Sequence, residues 1–114
     1  MNDDETMTIK EVVSICKKVK LANGSLVFDS FGENYVRGKT QQFLDENGMT
    51  IYDAESIINS ISASDYKEGP VEHYNSKRKH KLWIFNQKYR NMVLYIKLLI
   101  YNKRRSVAVI SLHD

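Results

Sequence analysis

The sequence has few of the residues that mark secreted or membrane proteins. A single cysteine, Cys16, excludes an intramolecular disulfide and suits a reducing cytoplasm. The first residues, MNDDETMT, are acidic and contain no apolar run, so they do not predict a signal peptide. The longest apolar run, VLYIKLLIY, is interrupted by Lys97 and falls far short of the roughly 20 residues that a membrane-spanning helix needs. We therefore expect a cytoplasmic protein that makes no membrane contact.

Motifs for several common classes of site are also missing. The sequence has no glycine-rich phosphate loop, no Ser-His-Asp order and no paired-carboxylate motif. His73 and His80 have no carboxylate or cysteine at metal-ligand spacing. We therefore expect neither a metal centre nor a cofactor.

The last third of the chain carries the strongest structural signal. The segment from Leu82 to Asp114 contains the only dense run of β-branched, aromatic and alternating residues, which predicts a three-stranded antiparallel meander. In its middle strand, alternation directs four aliphatic side chains towards the core: Leu94, Ile96, Leu98 and Ile100. The other face then carries Tyr95 and Lys97.

The register of the last strand follows from which side chains would be buried. A hairpin loop of three residues, 102–104, would place three apolar residues opposite the core positions: Ala108, Ile110 and Leu112. A loop of even length would instead bury Ser111 and His113, at about 1 to 3 kcal/mol for each unpartnered polar group. We therefore expect the odd loop, with Ser111 and His113 on the open face and His113 diagonal to Tyr95.

The first half of the chain predicts helices. A capping box at Thr8 and Glu11 begins a helix whose apolar stripe is Ile9, Val12, Val13 and Cys16. We expect Cys16 to be a buried apolar residue and not a nucleophile. A second helix, Tyr35 to Asn47, ends at Gly48. A third begins at Thr50, which has Asp53 three residues on, and buries Ile51, Ala54, Ile57, Ile58 and Ile61.

Two segments between these elements are less regular. Leu26 to Phe28 is compatible with a short edge strand or with an extended connection. Residues 62–80 are polar, with a bend at Gly69 and Pro70, and we expect a loop. The prediction is one α+β domain at residues 1–114: a helical part at 8–61, this loop, and a meander at 81–113 with three helices on one face of a small antiparallel sheet.

The charges are distributed unevenly along the chain. Residues 1–66 carry 6 basic and 11 acidic side chains, a net charge of −5, whereas residues 67–114 carry 11 basic and 3 acidic side chains, a net charge of +8. A basic face binds a polyanion because neutralised phosphates release counterions. The alternative is a solvated lysine-rich surface.

Four motifs in order resemble one family of proteins. DYKEGP at 65–70, WIF at 83–85, YIKL at 95–98 and ISLHD at 110–114 resemble the motility quorum-sensing regulator (MqsR) toxins, mainly over residues 50–114. These are RelE-like mRNA interferases of type II toxin-antitoxin systems. The resemblance implies a RelE-like fold, metal-independent endoribonuclease activity on mRNA, growth inhibition, a cognate antitoxin and possible association with the ribosome.

The resemblance also assigns roles to residues of this chain. Tyr95 and His113 match the family's strand tyrosine and its terminal basic residue, so they are the expected catalytic residues. The family has a catalytic lysine just before the bend, where this chain has Glu68, with Lys67 one place earlier. Either Lys67 supplies the missing charge, or Glu68 acts as a base. Lys97 would stabilise charge at the scissile phosphate.

Further RNA contacts are expected around these residues. The basic block 77–81 includes Lys79 and Lys81, which are expected to contact the RNA backbone, as is Arg104; a mobile, solvated connection is the alternative for the block. The family's glutamine near the tryptophan has Gln87 as its nearest substitute here. One of four aromatic residues is expected to stack on a base: Trp83, Phe85, Tyr89 or Tyr101. Either Trp83 and Phe85 or Leu82 and Ile84 must face the core.

Two other functions remain open at the level of sequence. The chain could be a basic domain that binds RNA or a protein and cuts nothing, or a toxin relative that the change to Glu68 has inactivated. RNA that shifts in mobility but stays intact would indicate the first, and activity restored by Glu68→Lys would indicate the second.

Overall fold

The computed structural model describes residues 7–28, 38–71 and 81–114. Within these ranges the chain forms three α-helices, which are α1 (Ile9–Lys18), α2 (Lys39–Glu46) and α3 (Ile51–Asn59), and a 3-10 helix at Ala63–Asp65. It also forms five strands: β1 (Leu26–Phe28), β2 (Tyr66–Val71), β3 (Leu82–Tyr89), β4 (Met92–Tyr101) and β5 (Ser106–His113).

The strands form one sheet in the order β1-β5-β4-β3-β2. The predicted antiparallel meander is confirmed as β3, β4 and β5. Leu26–Phe28 is the edge strand that one of the two sequence interpretations expected, and it pairs in parallel with Val107–Val109 of β5. The sheet is therefore larger than predicted and is mixed at one edge.

Both predicted capping boxes form. The Thr8 and Thr50 hydroxyls accept the N–H groups of Glu11 and Asp53, whose carboxylates accept the N–H groups of the two threonines in return. Gly48 follows the end of α2 with φ +63, as its C-terminal role requires. However, α2 begins at Lys39 after the cap residue Gly38, so the helix is shorter than predicted; residues 35–37 lie outside the described ranges.

All three helices pack on the same face of the sheet. Their apolar stripes join the inward side chains of the strands in one core that includes Cys16, Phe43, Ile57 and Phe85. The four predicted core positions of β4, from Leu94 to Ile100, are all 0% exposed. The predicted α+β architecture, with the helices on one face, is therefore confirmed.

The predicted register of β5 is wrong. Tyr101 pairs with Ser106, so the hairpin loop has four residues, 102–105, and Val107 and Val109 face the core where Ala108 and Ile110 were expected. A bulge then shifts the pairing, because Leu98 pairs with Val109 but Lys97 pairs with Ser111. The extra residue restores the alternation, so Leu112 is buried and the polar residues beside it are not.

The predicted loop at 62–80 is wrong in its first part. Residues 66–71 form β2, which pairs with β3 and is irregular on both sides of Glu68. The predicted bend is present at Gly69, where φ is +138 and the Tyr66 hydroxyl donates a 2.7 Å hydrogen bond to the Gly69 carbonyl. Residues 72–80 lie outside the described ranges.

No helix in the described part of the chain is long and apolar enough to cross a membrane.

Candidate active site on the open sheet face

Tyr95 and His113 lie side by side on the face of the sheet opposite the helices. They are direct partners across β4 and β5, and their ring centroids are 5.4 Å apart. Both side chains are half-buried. The sequence predicted a diagonal relation between them, and the bulge in β5 makes it a direct one.

Two ammonium groups approach the same tyrosine. The Nζ atoms of Lys67 and Lys97 lie 5.8 Å and 5.7 Å from the centroid of the Tyr95 ring, within the range of cation–π attraction. Lys97 is two residues from Tyr95 on β4 and so shares its face, whereas Lys67 arrives from β2, two strands away. In the described ranges no carboxylate forms a salt bridge with either ammonium group. The face therefore concentrates positive charge around one phenol.

The irregular pairing of β2 explains how Lys67 arrives there. Tyr66 pairs with Phe85, but Glu68 pairs with Ile84, so one residue of β3 is spanned by two residues of β2. Tyr66 packs against the core, while the Lys67 side chain reaches Tyr95 on the other face. Of the two sequence alternatives, the geometry favours Lys67 as the cationic group near Tyr95.

Two residues that were expected to contact RNA do not reach this face. Trp83 is 1% exposed and Gln87 is 6% exposed, since both side chains point into the helix-covered side of the sheet. Gln87 instead uses its Nε2 to donate a 3.2 Å hydrogen bond to the Ile57 carbonyl of α3. Of the two parities left open for β3, the one that turns Trp83 and Phe85 inward is therefore correct.

The same parity brings out a residue that the sequence analysis missed. Asn86 is exposed and pairs directly with Tyr95, on the side opposite His113. Its amide therefore offers donors and an acceptor beside the phenol. The sequence contains a signal for this position. Side chains two residues apart on a strand share a face, and Asn86 is the first polar residue that follows Leu82 and Ile84 at that spacing.

The remaining expected contacts lie around the edges of this face or outside the described part of the chain. Arg104, in the β4-β5 hairpin, lies over the Tyr101 ring, with its Cζ 5.8 Å from the centroid. Leu99, Leu82 and Ala108 form a small buried cluster between Tyr101 and the Tyr95 region, so the polar face is not continuous. Lys81 directly precedes β3, and Lys79 is outside the described residues.

His113 also borders a shallow cleft with α2. The cleft has a volume of about 370 Å³ and is lined by Lys39, Gln42, Phe43, Glu46, His113 and Asp114. Two larger cavities, of about 650 and 570 Å³, lie beside α1 and beside the end of α3. Neither of these touches Tyr95 or the two lysines, so the open face and its cleft are the better candidate for chemistry.

The cysteine of the chain lies in the core, away from this site. Cys16 is fully buried, and burial raises the pKa of its thiol to about 12, which opposes formation of a nucleophilic thiolate. In the described ranges no cluster of three or more histidine, cysteine or acidic residues has the geometry to hold a metal ion.

Comparisons of the chain with protein-family models, curated proteins and solved structures give no match. The function must therefore be argued from the residues themselves and from the geometry of the open face.

Proposed function

We propose that the protein is a metal-independent endoribonuclease that cleaves mRNA, acting as the toxin of a toxin-antitoxin pair in the cytoplasm. The observation that carries the proposal is the group of four side chains on the open face, in which Tyr95 has His113 beside it and the Nζ atoms of Lys67 and Lys97 within 6 Å of its ring. A phenol, an imidazole and two ammonium groups can supply the proton transfers and the positive charge that RNA cleavage without a metal requires.

The chemistry has three requirements. The 2′-hydroxyl must lose a proton, the 5′-oxygen must gain one as it leaves, and the added negative charge at phosphorus must be stabilised. The phosphorus–oxygen bond to the 2′-oxygen forms while the bond to the 5′-oxygen breaks. Two proton-transfer groups and at least one fixed cation are therefore needed around one phosphate.

The four side chains can share these tasks. An imidazole nitrogen can accept or donate a proton, so we assign His113 to one of the two proton transfers. We assign Tyr95 to hydrogen bonding or proton transfer at the scissile phosphate, because it is the direct neighbour of His113. Lys67 and Lys97 supply positive charge on the same side of the sheet, where they would stabilise the transition state.

The proposed toxicity and the proposed antitoxin partner rest on the resemblance to the MqsR toxins. A free ribonuclease of this kind would stop growth, so a cognate antitoxin is expected to cover the cationic face or to sequester the protein by another surface. The net charge of +8 over residues 67–114 suits an acidic partner segment as well as mRNA.

The decisive experiment is cleavage of a long mRNA in EDTA. We expect the wild type to cut at a few short sequence contexts, and Tyr95→Phe and His113→Ala to cut at rates lower by about 10²- to 10⁴-fold, as for loss of a proton-transfer group. Tyr52→Phe is the matched control, since Tyr52 is 68% exposed on α3, away from the open face. Circular dichroism and thermal unfolding would establish that all four proteins fold.

Each other outcome selects a different function. Wild-type protein that leaves RNA intact with and without ribosomes contradicts the enzyme proposal. RNA that shifts in mobility but stays whole would indicate a binding domain instead. Cleavage that appears only in Glu68→Lys would indicate a toxin relative inactivated at that position.

A further inference from the structure

Within the described residues, no strand pairs with the end of β5 on the side away from β4. β1 pairs with β5 only over Val107–Val109, so the segment from Ile110 to His113 extends beyond it along that edge. Unpaired backbone N–H groups at a strand edge cost free energy when buried and fray when exposed. The position of His113 therefore depends on what holds this segment.

A side chain of α2 forms a hydrogen bond with the backbone of this segment. The hydroxyl oxygen of Thr40 accepts a 3.0 Å hydrogen bond from the backbone N–H of Leu112. Both residues are buried, with Thr40 1% and Leu112 0% exposed, so water cannot replace this bond easily. The two residues are 72 positions apart, so the bond ties α2 to the strand that carries His113.

The geometry of a strand passes this constraint to the site. Leu112 directly precedes His113, and its side chain lies in the core opposite Ile96 while its N–H points away from β4. Since successive residues of a strand are rigidly related, fixing the backbone at Leu112 fixes the direction in which the imidazole leaves the sheet. Phe43 and Leu44 of α2 are buried in the same core, so the helix that carries Thr40 is itself held in place.

We propose that Thr40 is a positioning residue for the cleavage reaction: its buried hydroxyl fixes the end of β5 and thereby holds the His113 imidazole against Tyr95. The catalytic part of this inference rests on the proposed function. The geometric part, that Thr40 sets the distance between the two rings, can be tested without any activity.

The test compares Thr40→Val, which keeps the side-chain shape and removes the acceptor, with Thr40→Ser, which keeps the hydroxyl. In NMR experiments on the folded proteins, we expect the Leu112 amide to exchange with solvent about tenfold faster in Thr40→Val than in the wild type. The nuclear Overhauser effect between the His113 and Tyr95 rings should weaken in Thr40→Val, and Thr40→Ser should restore both signals.

Cleavage kinetics then test the catalytic part. We expect Thr40→Val to lower kcat by roughly tenfold to a hundredfold with little change in KM, because a small misplacement of a reacting group affects the chemical step. If Thr40 has only a structural role, Thr40→Val should lower thermal stability, but the folded Thr40→Val and Thr40→Ser proteins should have the same kcat. Equal kcat values for the two variants would overturn the catalytic part.

The two ideas fail in distinguishable ways. If the wild type does not cleave RNA but the ring contact depends on the Thr40 hydroxyl, the proposed function fails and the positioning role stands. If Thr40→Val leaves the amide exchange and the ring contact unchanged, the positioning role fails. If Thr40→Val does not fold, the exchange rate of the Leu112 amide in the wild type is the test. Exchange as fast as that of an exposed edge amide would contradict the positioning role.

Discussion

Single residues on β3 show how one step along a strand changes what a side chain can do. Trp83 and Gln87 seemed suited to RNA contacts, but both are buried against the helices, whereas the neighbouring Asn86 is exposed beside Tyr95. Residue type alone could not distinguish these positions. The difference arises because side chains alternate between the faces, and only one face is covered by helices.

Cys16 gives a prediction at the same scale, because its burial couples stability to alkaline pH. Burial raises the pKa of the folded-state thiol from 9.0 to about 12. The unfolded chain therefore loses this proton at a lower pH than the folded chain does, so its ionisation favours unfolding. We expect the contribution of Cys16 to stability to be complete below pH 9 and to fall between pH 9 and 12, by at most about 1.4 kcal/mol per pH unit.

The measurement is the free energy of unfolding of wild type and of Cys16→Ala by urea denaturation at several pH values. Lysine and tyrosine side chains that titrate in this range are common to both proteins, so their difference isolates the thiol. The stability advantage of the wild type should shrink above pH 9. Parallel profiles up to pH 11 would show that the thiol is not shielded in the folded protein.

At the scale of elements, irregular strands assemble the open face. A bulge in β5 aligns His113 with Tyr95, and the irregular step of β2 between Tyr66 and Glu68 directs Lys67 to the same ring. A bulge leaves one residue unpaired and reorients those that follow it. The site therefore depends on departures from regular pairing more than on the regular meander that surrounds them.

A substitution at Gly69 tests how much the close contact between β2 and β3 contributes to stability. It has φ +138, and a Cβ atom there would lie 2.9 Å from the Leu82 carbonyl oxygen and 3.0 Å from the Trp83 Cα, both in the backbone of β3. Gly69→Ala should therefore lower the free energy of unfolding by about 3 kcal/mol, through backbone strain and collision together.

Gly24→Ala is the matched control for this prediction. Gly24 also has a positive φ, +76, but a Cβ there would meet nothing within 4 Å. Conformational strain alone should cost about 1 kcal/mol at this position. Equal losses for the two variants in urea denaturation would mean that the close contact between β2 and β3 contributes nothing.

At the scale of the whole molecule, the helices and the sheet come from parts of the sequence that have opposite net charge. All of α1, α2 and α3 lie in residues 1–66, whose net charge is −5, while β2 to β5 lie from residue 66 onward, where the net charge is +8. On the face that the helices leave uncovered, the ammonium groups of Lys67 and Lys97 lie around the Tyr95 ring. A polyanion is therefore expected to approach from that side.

The salt dependence of RNA binding tests this expectation. Each phosphate neutralised on single-stranded RNA contributes about −0.7 to the slope of log affinity against log salt concentration. In a His113→Ala background that prevents cleavage, we expect Lys67→Gln and Lys97→Gln each to reduce the magnitude of the slope by about 0.7. Lys18→Gln, an exposed lysine of α1, should leave it unchanged. An equal change for all three lysines would point to diffuse attraction with no defined phosphate site.

Local signals in the sequence were sufficient for much of the fold. The capping boxes at Thr8 and Thr50 and the alternation of β4 were correctly predicted, since each depends on residues a few positions apart. The same alternation predicted that Tyr95 and His113 share a face, although it placed them diagonally and not directly opposite each other. The bulge in β5 had no such signal, because residues 107–110 are all apolar and fit either face of the strand.

Contacts between distant parts of the chain were decided only by the tertiary structure. The parallel pairing of β1 with β5, the approach of Lys67 to Tyr95 and the hydrogen bond from Leu112 to Thr40 join residues 28 to 81 positions apart. No local pattern encodes such pairs, because they form only when the helices and strands pack around one core. The sequence alone thus determined the helices, the three strands of the meander and which groups could act, whereas packing determined the two edge strands and which of those groups meet.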